Sequence, residues 1–355
     1  MKKIIYFALF ILLSSFYSCE TDFDVNADWK DITTVYCMLN KGDTAHYVKV
    51  NKAFLGNASA YEMAQHSDSF NYASANVYLI EFKKSTGDWL ITRTLNCEKT
   101  TEILKDSGLF ANDNNILYKT TAILNSSTDN TKYKYQLVVE IPDKEKVWSE
   151  TEVFDNKIIT PEHPLSNIQL HDKSPSMLEW RSITNARLYD INLRFYYYEI
   201  TTTDTTVKYI DWAVATVQTS NLIGGEKLKV FFTGTSFFSN LSNKINKNDN
   251  NVIKRISKEK PFEITFLIGD DNLYTYMQVT APSEGISQEK PAFTNINNGY
   301  GLFCARASSF YNNNNNGIKI NTNKTLDSLH MGSLTSDLKF VTKNETTLYW
   351  LQHPD

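Results

Sequence analysis

Hydrophobic and polar residues alternate along much of this chain. Ile32-Thr-Thr-Val-Tyr-Cys-Met-Leu39 places Val35, Cys37 and Leu39 on one face. A turn follows at Asn40-Lys-Gly-Asp43, and His46-Tyr-Val-Lys-Val-Asn51 alternates again. Period-two runs separated by Asn, Gly and Asp predict a β-hairpin. Ala53 to Tyr72 is less regular, with one helical turn expected over Tyr61–His66. A second hairpin is expected from Ala75–Phe82, a turn at Ser85-Thr-Gly-Asp88, and Trp89–Leu95. Ile116–Leu124, Lys132–Ile141 and Val147–Val153 complete the set, the last two joined by Pro142-Asp-Lys-Glu145. Short strands punctuated every few residues by turn signals suit a β-sandwich. The expectation is an immunoglobulin-like sandwich over 31–156 and a connector over 157–174.

Beyond the connector, Met177-Leu-Glu-Trp180 leads through Asn185-Ala186 to the alternating run Tyr189–Tyr198. A tryptophan closing one strand and a tyrosine opening the next resembles the start of a fibronectin III-like sandwich. Tyr209–Val217, Lys227–Phe232 and Phe262–Ile268 read as further strands. Between them Phe238, Leu241 and Ile245 recur at helical spacing, so a helix is expected over 236–246, capped by Thr235 or Ser236. A second short helix is expected over Asn272–Val279, capped by Asp271. The chain closes through five asparagines at Asn312–Asn316, then Leu338–Val341 and Thr347–Leu351. The fold class expected is mainly β in two domains. The second, over 175–355, is fibronectin III-like or mixed, with one or two short helices.

The first residues break this pattern. Lys2 and Lys3 precede an apolar run from Ile4 to Tyr17, closed by Ser18-Cys19. A membrane-crossing helix needs roughly 20 apolar residues, and this run is shorter. A charged start, a short apolar core and a small residue at the break mark a secretory signal over 1–18. A cysteine at the break resembles the lipobox of bacterial lipoproteins. Cys19 would then carry diacylglycerol and acyl chains (palmitate or a similar fatty acid) and begin the mature chain. Residues 19–30 would be an acidic tether ending near Trp29. Two or more acyl chains give a lasting anchor where one gives marginal binding.

Composition narrows the partners. A net charge of -4 and a pI near 5.9 give no basic footprint for nucleic acid. The densest positive stretch, Lys254–Lys260, is interrupted by Glu259 and reads as a solvated face. Twenty Tyr and twenty Phe favour half-buried pleated surfaces. With Cys19 assigned to lipid, Cys37, Cys97 and Cys304 remain, with no metal-ligand spacing. Two readings of Cys37 and Cys97 stand: buried inert thiols, or a bridge formed in an oxidising compartment.

Several stretches together resemble a family of uncharacterised Bacteroidota outer-membrane lipoproteins, often met beside SusCD-type uptake systems. The residues that carry the likeness are Cys19-Glu-Thr-Asp-Phe-Asp-Val-Asn26, Asp31–Tyr36, Tyr47–Gly56, Asp271–Tyr276, Glu289-Lys-Pro291 and Asn295–Phe303. The resemblance implies an Ig-like N-terminal domain, a mixed C-terminal domain and an extracytoplasmic lipoprotein. It carries over no catalytic residues. Its acidic N-terminus favours the cell surface over the periplasmic face.

Catalytic patterns are sparse. His-Glu-x-x-His, Gly-x-Ser-x-Gly and phosphate loops are absent from the sequence, and the six histidines are scattered. Ser257-Lys-Glu-Lys260 matches Ser-x-x-Lys without its companion motifs. Asp270-Asp271, with Glu199 or Glu289, could form a glycosidase pair. Asp270 and Asp271 could instead bind calcium or cap a helix. Phe195-Tyr-Tyr-Tyr198 turns alternate rings outward, so Tyr196, Tyr198 and Trp212 are the candidate ligand or partner surface. The expected function is a non-enzymatic, lipid-anchored accessory or ligand-capture protein of the outer membrane, with no cofactor beyond its lipid. A TonB-dependent or other β-barrel protein is the expected partner. The alternatives are an assembly subunit of a barrel complex and a surface glycan- or peptide-acting hydrolase.

Overall fold

The structure, a computed structural model, describes residues 32–53, 60–106, 108, 115–127, 131–154, 158–164, 166–171, 175–281, 292–312, 317–320 and 322–354. Cys19, the expected signal and tether, Glu289 and most of the asparagine run lie outside them. The described chain is mainly β. Its strands are β1 (Thr33–Leu39), β2 (His46–Lys52), β3 (Asn76–Lys84), β4 (Leu90–Thr100), β5 (Leu117–Thr120), β6 (Lys132–Glu140) and β7 (Val147–Glu152), then β8 (Asn167–Ile168), β9 (Pro175–Arg181), β10 (Leu188–Thr201), β11 (Thr205–Gln218), β12 (Lys227–Thr233), β13 (Val252–Gly269), β14 (Tyr300–Tyr311) and β15 (Lys319–Ile320). Helices are α1 (Ala60–Ala64), α2 (Ser67–Phe70), α3 (Gly234–Lys244), α4 (Asp271–Thr280), α5 (Thr322–Met331) and α6 (Lys343–Gln352).

Eleven strands form one sheet in the order β11-β10-β13-β14-β1-β2-β5-β4-β3-β6-β7. In the first half, β4 changes partners along its length. Residues 90–97 pair with β3, and residues 98–100 pair with β5. The sheet therefore folds over at β4, and its two layers enclose a core that includes Val35, Leu39, Val48, Leu79 and Leu137. In the second half β12 pairs with β9, and the backbone of 162–163 pairs with Glu179 on the other side of β9. The sheet β11-β10-β13-β14 lines a second, larger core around Trp180, Phe195, Phe237 and Phe266. Trp180 is fully buried, 5.3 Å from the Phe266 ring and 5.7 Å from Tyr189. Each buried ring of this size contributes roughly 2–3 kcal/mol of transfer free energy.

One strand belongs to both halves. Tyr300–Ala305 of β14 runs parallel to Thr34–Leu39 of β1, and Arg306–Tyr311 runs antiparallel to β13. Just before it, the Asn297 N–H donates to the Trp148 carbonyl at 2.8 Å, and the Ser149 hydroxyl donates to the Asn295 carbonyl at 2.6 Å. Residues 295–305 are thus wedged between β1 and β7 and join the two ends of the first half. Phe303 points into the first core, while Ala305, Ala307 and Tyr311 point into the second. Gly301 makes the wedge possible. Its φ of +123° is one that L side chains rarely adopt, and a Cβ there would meet the Val35 carbonyl oxygen at 2.0 Å.

The strand directions set a long axis. β1 enters at Thr33, and β14 runs beside it the same way, then continues along β13. Leu188 of β10 pairs with Gly269, which pairs with Arg306. β10 therefore runs away from the first half, and its turn into β11 at 202–204 lies at the end of the sheet remote from Thr33.

The helices are displaced from their expected positions. α3 begins at Gly234 with Thr233 as cap, because Gly234 packs against the His171 backbone with no room for a side chain. α4 is capped by Asp270 rather than Asp271. α6 has a capping box, Thr342 with Glu345, that the T-x-x-E spacing already contained. β10 and β13 are longer than their periodicity suggested, and the pairing of β13 with β10 shifts register near Phe195–Tyr197. Cys37, Cys97 and Cys304 are buried free thiols. Burial raises all three, Cys97 to about 12.

The first half also buries one charge network. The Glu81 carboxylate is 1% exposed and accepts from Arg93 at 2.6 Å, the Tyr135 hydroxyl at 2.6 Å, Thr92 at 2.7 Å and the Asn125 amide at 3.1 Å. Burial alone would raise its pKa. The hydrogen bonds from Arg93, Tyr135, Thr92 and Asn125 outweigh it and hold the group at about 2.

Two outcomes follow from these contacts. Gly301→Ala will cost about 3 kcal/mol or more, read by chemical denaturation, because backbone and not a side chain blocks the new methyl. Since the pKa of Glu81 is depressed on folding, its contribution is present above pH ~4.5 and is lost as pH falls toward 2. Acid titration of wild type against Glu81→Gln should show this dependence in the wild type only.

Candidate ligand surface

Odd-numbered residues of β10 from Tyr189 to Tyr197 face the core, so even-numbered ones face out. The register then sets Tyr196 opposite Tyr209, Arg194 opposite Asp211 and Tyr198 opposite Val207 on the outer face. The Tyr196 and Tyr209 rings lie 6.0 Å apart, and the Arg194 guanidinium sits 4.1 Å over the Tyr209 ring. Arg194 forks onto Asp211 at 2.6 and 2.9 Å. The Tyr196 hydroxyl donates to Glu263 on β13 at 2.9 Å. Tyr209 stays 53% exposed and Val207 52% exposed at the sheet's rim. The Tyr198 ring meets Tyr349 of α6 at 5.3 Å, with Lys258 5.7 Å from the ring centre.

α6 is held here from beneath. Arg255 is 1% exposed, donates to Glu199 at 2.9 Å, and donates to the Leu338 carbonyl at 2.8 Å just ahead of the helix. The Trp350 indole N–H donates to the Ser257 carbonyl at 2.7 Å. The surface therefore combines flat rings with paired cations and carboxylates on rigid strands. Such a face suits amphipathic ligands, which stack on rings and hydrogen-bond at their edges. Asp211 and Tyr196 respond to these neighbours. The Arg194 guanidinium holds the Asp211 carboxyl below its usual range, while burial raises the Tyr196 hydroxyl.

Of the three residues proposed from sequence, Tyr196 and Tyr198 lie on this face and are half-buried. Trp212 is turned the other way. It packs into the core against Phe232 at 5.6 Å and Phe237 at 5.7 Å, because it opposes core-facing Leu193. Sequence reasoning missed Arg194, which shares the alternation of β10, and Tyr209, which carries it one strand on. Tyr349 had no strand-period signal, since it belongs to α6.

Asp270 and Asp271 separate in role. Asp270 is buried at the junction of the halves. Its carboxylate accepts from the Leu273 N–H at 2.8 Å, the Ala305 N–H at 2.8 Å and the Thr151 hydroxyl at 2.9 Å. Burial raises its pKa, and these three donors oppose the rise. Asp271 is solvent-facing, 3.4 Å from Arg187. Both line a cleft of about 300 Å³ with Lys134, Glu150, Glu152 and Asn185. Among the described residues, no three His, Cys, Asp or Glu side chains are grouped to hold a metal ion. Ser257 is 1% exposed, and its hydroxyl donates to the Lys258 carbonyl at 2.9 Å. Glu199 is engaged by Arg255. No helix among the described residues is long and apolar enough to cross a membrane.

No protein-family model and no curated protein matches the chain.

The two arginines should behave oppositely. Arg255→Ala strands the Glu199 carboxylate and the Leu338 carbonyl, and should cost about 3–5 kcal/mol. Arg194→Ala removes a solvent-screened pair and should cost under about 1 kcal/mol. Urea titrations of the two variants read the difference directly.

Proposed function

We propose that this chain is a non-enzymatic accessory protein, tethered by lipid on Cys19 to the bacterial outer membrane, that captures a ligand on the outer face of β10 and β11. The observation that carries the reading is one of direction. Tyr196, Tyr198 and Tyr209 lie toward the end of the sheet remote from Thr33, where the chain arrives from its tether. A face so placed is held away from the surface that anchors it. The apolar run before Cys19 and the acidic residues after it support display on the cell surface.

Within this proposal the two halves are Ig-like and fibronectin III-like. What supports the first is its pairing, β1-β2-β5 in one layer and β4-β3-β6-β7 in the other. The second repeats it, with 162–163, β9 and β12 in one layer and β11-β10-β13-β14 in the other. These orders correspond to strands ABE and C′CFG of such sandwiches.

Two measurements test the function. Palmitate labelling should be lost in Cys19→Ala, with release of the protein from envelopes. Tyr209→Ala should weaken retention of glycans or peptides by the purified full chain about tenfold without lowering its melting midpoint, and Tyr198→Ala should weaken it about tenfold with some loss of stability, because its ring packs on Tyr349. Retention unchanged in both variants would reject the capture surface. A stoichiometric barrel partner in detergent pull-down, with no retained small ligand, would favour the assembly-subunit reading instead.

A further inference from the structure

One edge of the large sheet is open. At the other end β7 is closed by Asn297, whereas among the described residues β11 ends the sheet with β10 as its sole strand partner. Which of its backbone groups point outward follows from the hairpin. Thr201 N–H donates to the Asp204 carbonyl at 2.9 Å, so 201 and 204 form a hydrogen-bonded pair. In an antiparallel ladder such pairs alternate, which gives 206, 208, 210 and 212 to β10. Thr205, Val207, Tyr209 and Asp211 therefore turn their N–H and C=O away from it, and of these the Thr205 N–H donates to the Asp204 carboxylate at 2.7 Å. The Asp211 carbonyl agrees, because it accepts from Lys244 and from Asn240 at 3.4 Å, both on α3. α3 thus covers the strand at Asp211 and leaves 205–209 as the exposed stretch among the described residues.

Natural edges carry protection such as proline, a bulge or a charge. Thr205–Tyr209 has no proline, and the ladder is regular there, with the bulge further on at Ile191/Asn192. Its one charge is Lys208, on the core-facing side opposite Tyr197. The exposed Val207 and Tyr209 side chains stand over the same stretch.

We propose that this edge pairs with the same edge of a second copy, antiparallel about a two-fold axis at Val207, so that the two sheets become one. That register sets 207 opposite 207 and 205 opposite 209, so the Val207 and Tyr209 N–H groups meet outward carbonyls on the opposing strand, while the Thr205 N–H keeps its bond to Asp204. It also settles the charge. Lys208 falls opposite Thr206 of the second copy and diagonal to its Asp204, within reach of a long side chain. The other diagonal neighbour is the second copy's Lys208, but the right-handed twist of the strands brings the Asp204 diagonal closer, and the two-fold repeats the Lys208–Asp204 contact. Both Val207 side chains meet across the axis, and each Tyr209 covers the opposing Thr205. Self-complementarity of this kind is what an isologous interface requires. A heterologous extended peptide would use the same backbone groups but would not call for an acid and a base four residues apart on one strand.

Sedimentation of the full chain in detergent micelles tests this, with the protein's own mass separated from bound detergent. The expected result is a concentration-dependent dimer. Val207→Pro removes an outward N–H that β10 does not use, so melting should change little while dimer dissociation rises at least tenfold. Lys208→Asp alone sets carboxylates against carboxylates and should also dissociate the dimer at least tenfold. Lys208→Asp with Asp204→Lys should restore it. The charge variants keep the test decisive if the proline variant unfolds. A monomer at every concentration overturns the proposal, as does a dimer indifferent to Val207→Pro and to the charge reversal.

Discussion

The structure depends on a shared strand. Main-chain hydrogen bonds along 295–311 satisfy β7 and β1 first and β13 afterwards, so neither half has its full set of partners alone. The side chains follow the backbone. Phe303 fills the first core, and two residues on Ala305 begins to fill the second. Asp270 fastens the crossing point: its oxygens take one N–H from β14, one from α4 and a hydroxyl from β7. Three elements distant in sequence are fixed by one carboxylate whose burial is tolerable only because each oxygen is engaged.

This junction gives the second half a fixed direction from the first. The β10–β11 arm projects along the axis that β14 continues, and its rings lie far from where the chain enters. The polar groups there are paired within the sheet, Arg194 with Asp211 and Tyr196 with Glu263, so the rings are held in place. Below them the buried Arg255 anchors the approach to α6, which brings Tyr349 to Tyr198. The proposed capture face and the edge of β11 are neighbours. Pairing through that edge would bring two ring surfaces onto one extended sheet, a gain in avidity for a ligand long enough to span both.

Much of the strand content was legible because alternation records which face is buried. The runs at 33–39, 46–52, 132–140 and 188–198 show it directly. Tyr196 and Tyr198 were found for the same reason. Trp212 was misjudged because alternation fixes a residue's face only relative to its neighbours, and the pairing with Leu193 decides which face is the core. β14 could not be assigned its double role, since its partners in β1, from Thr34 to Leu39, lie so far away in sequence that they leave no local pattern. α6 was hidden by its weak amphipathicity, although its capping box was present in the residues. The charge networks of Glu81 and Arg255 were equally silent, because an acid or base on a strand reads as solvent-facing until its partners are placed.

Native-state hydrogen exchange tests the shared strand most directly. If 295–311 binds the halves into one cooperative unit, the amides of Cys304–Ser309, of β1 and of β13 will exchange through one opening, with one free energy and one denaturant dependence. Exchange of β1 and β7 through a separate, lower-energy opening, while β14 and β13 stay protected, would contradict it.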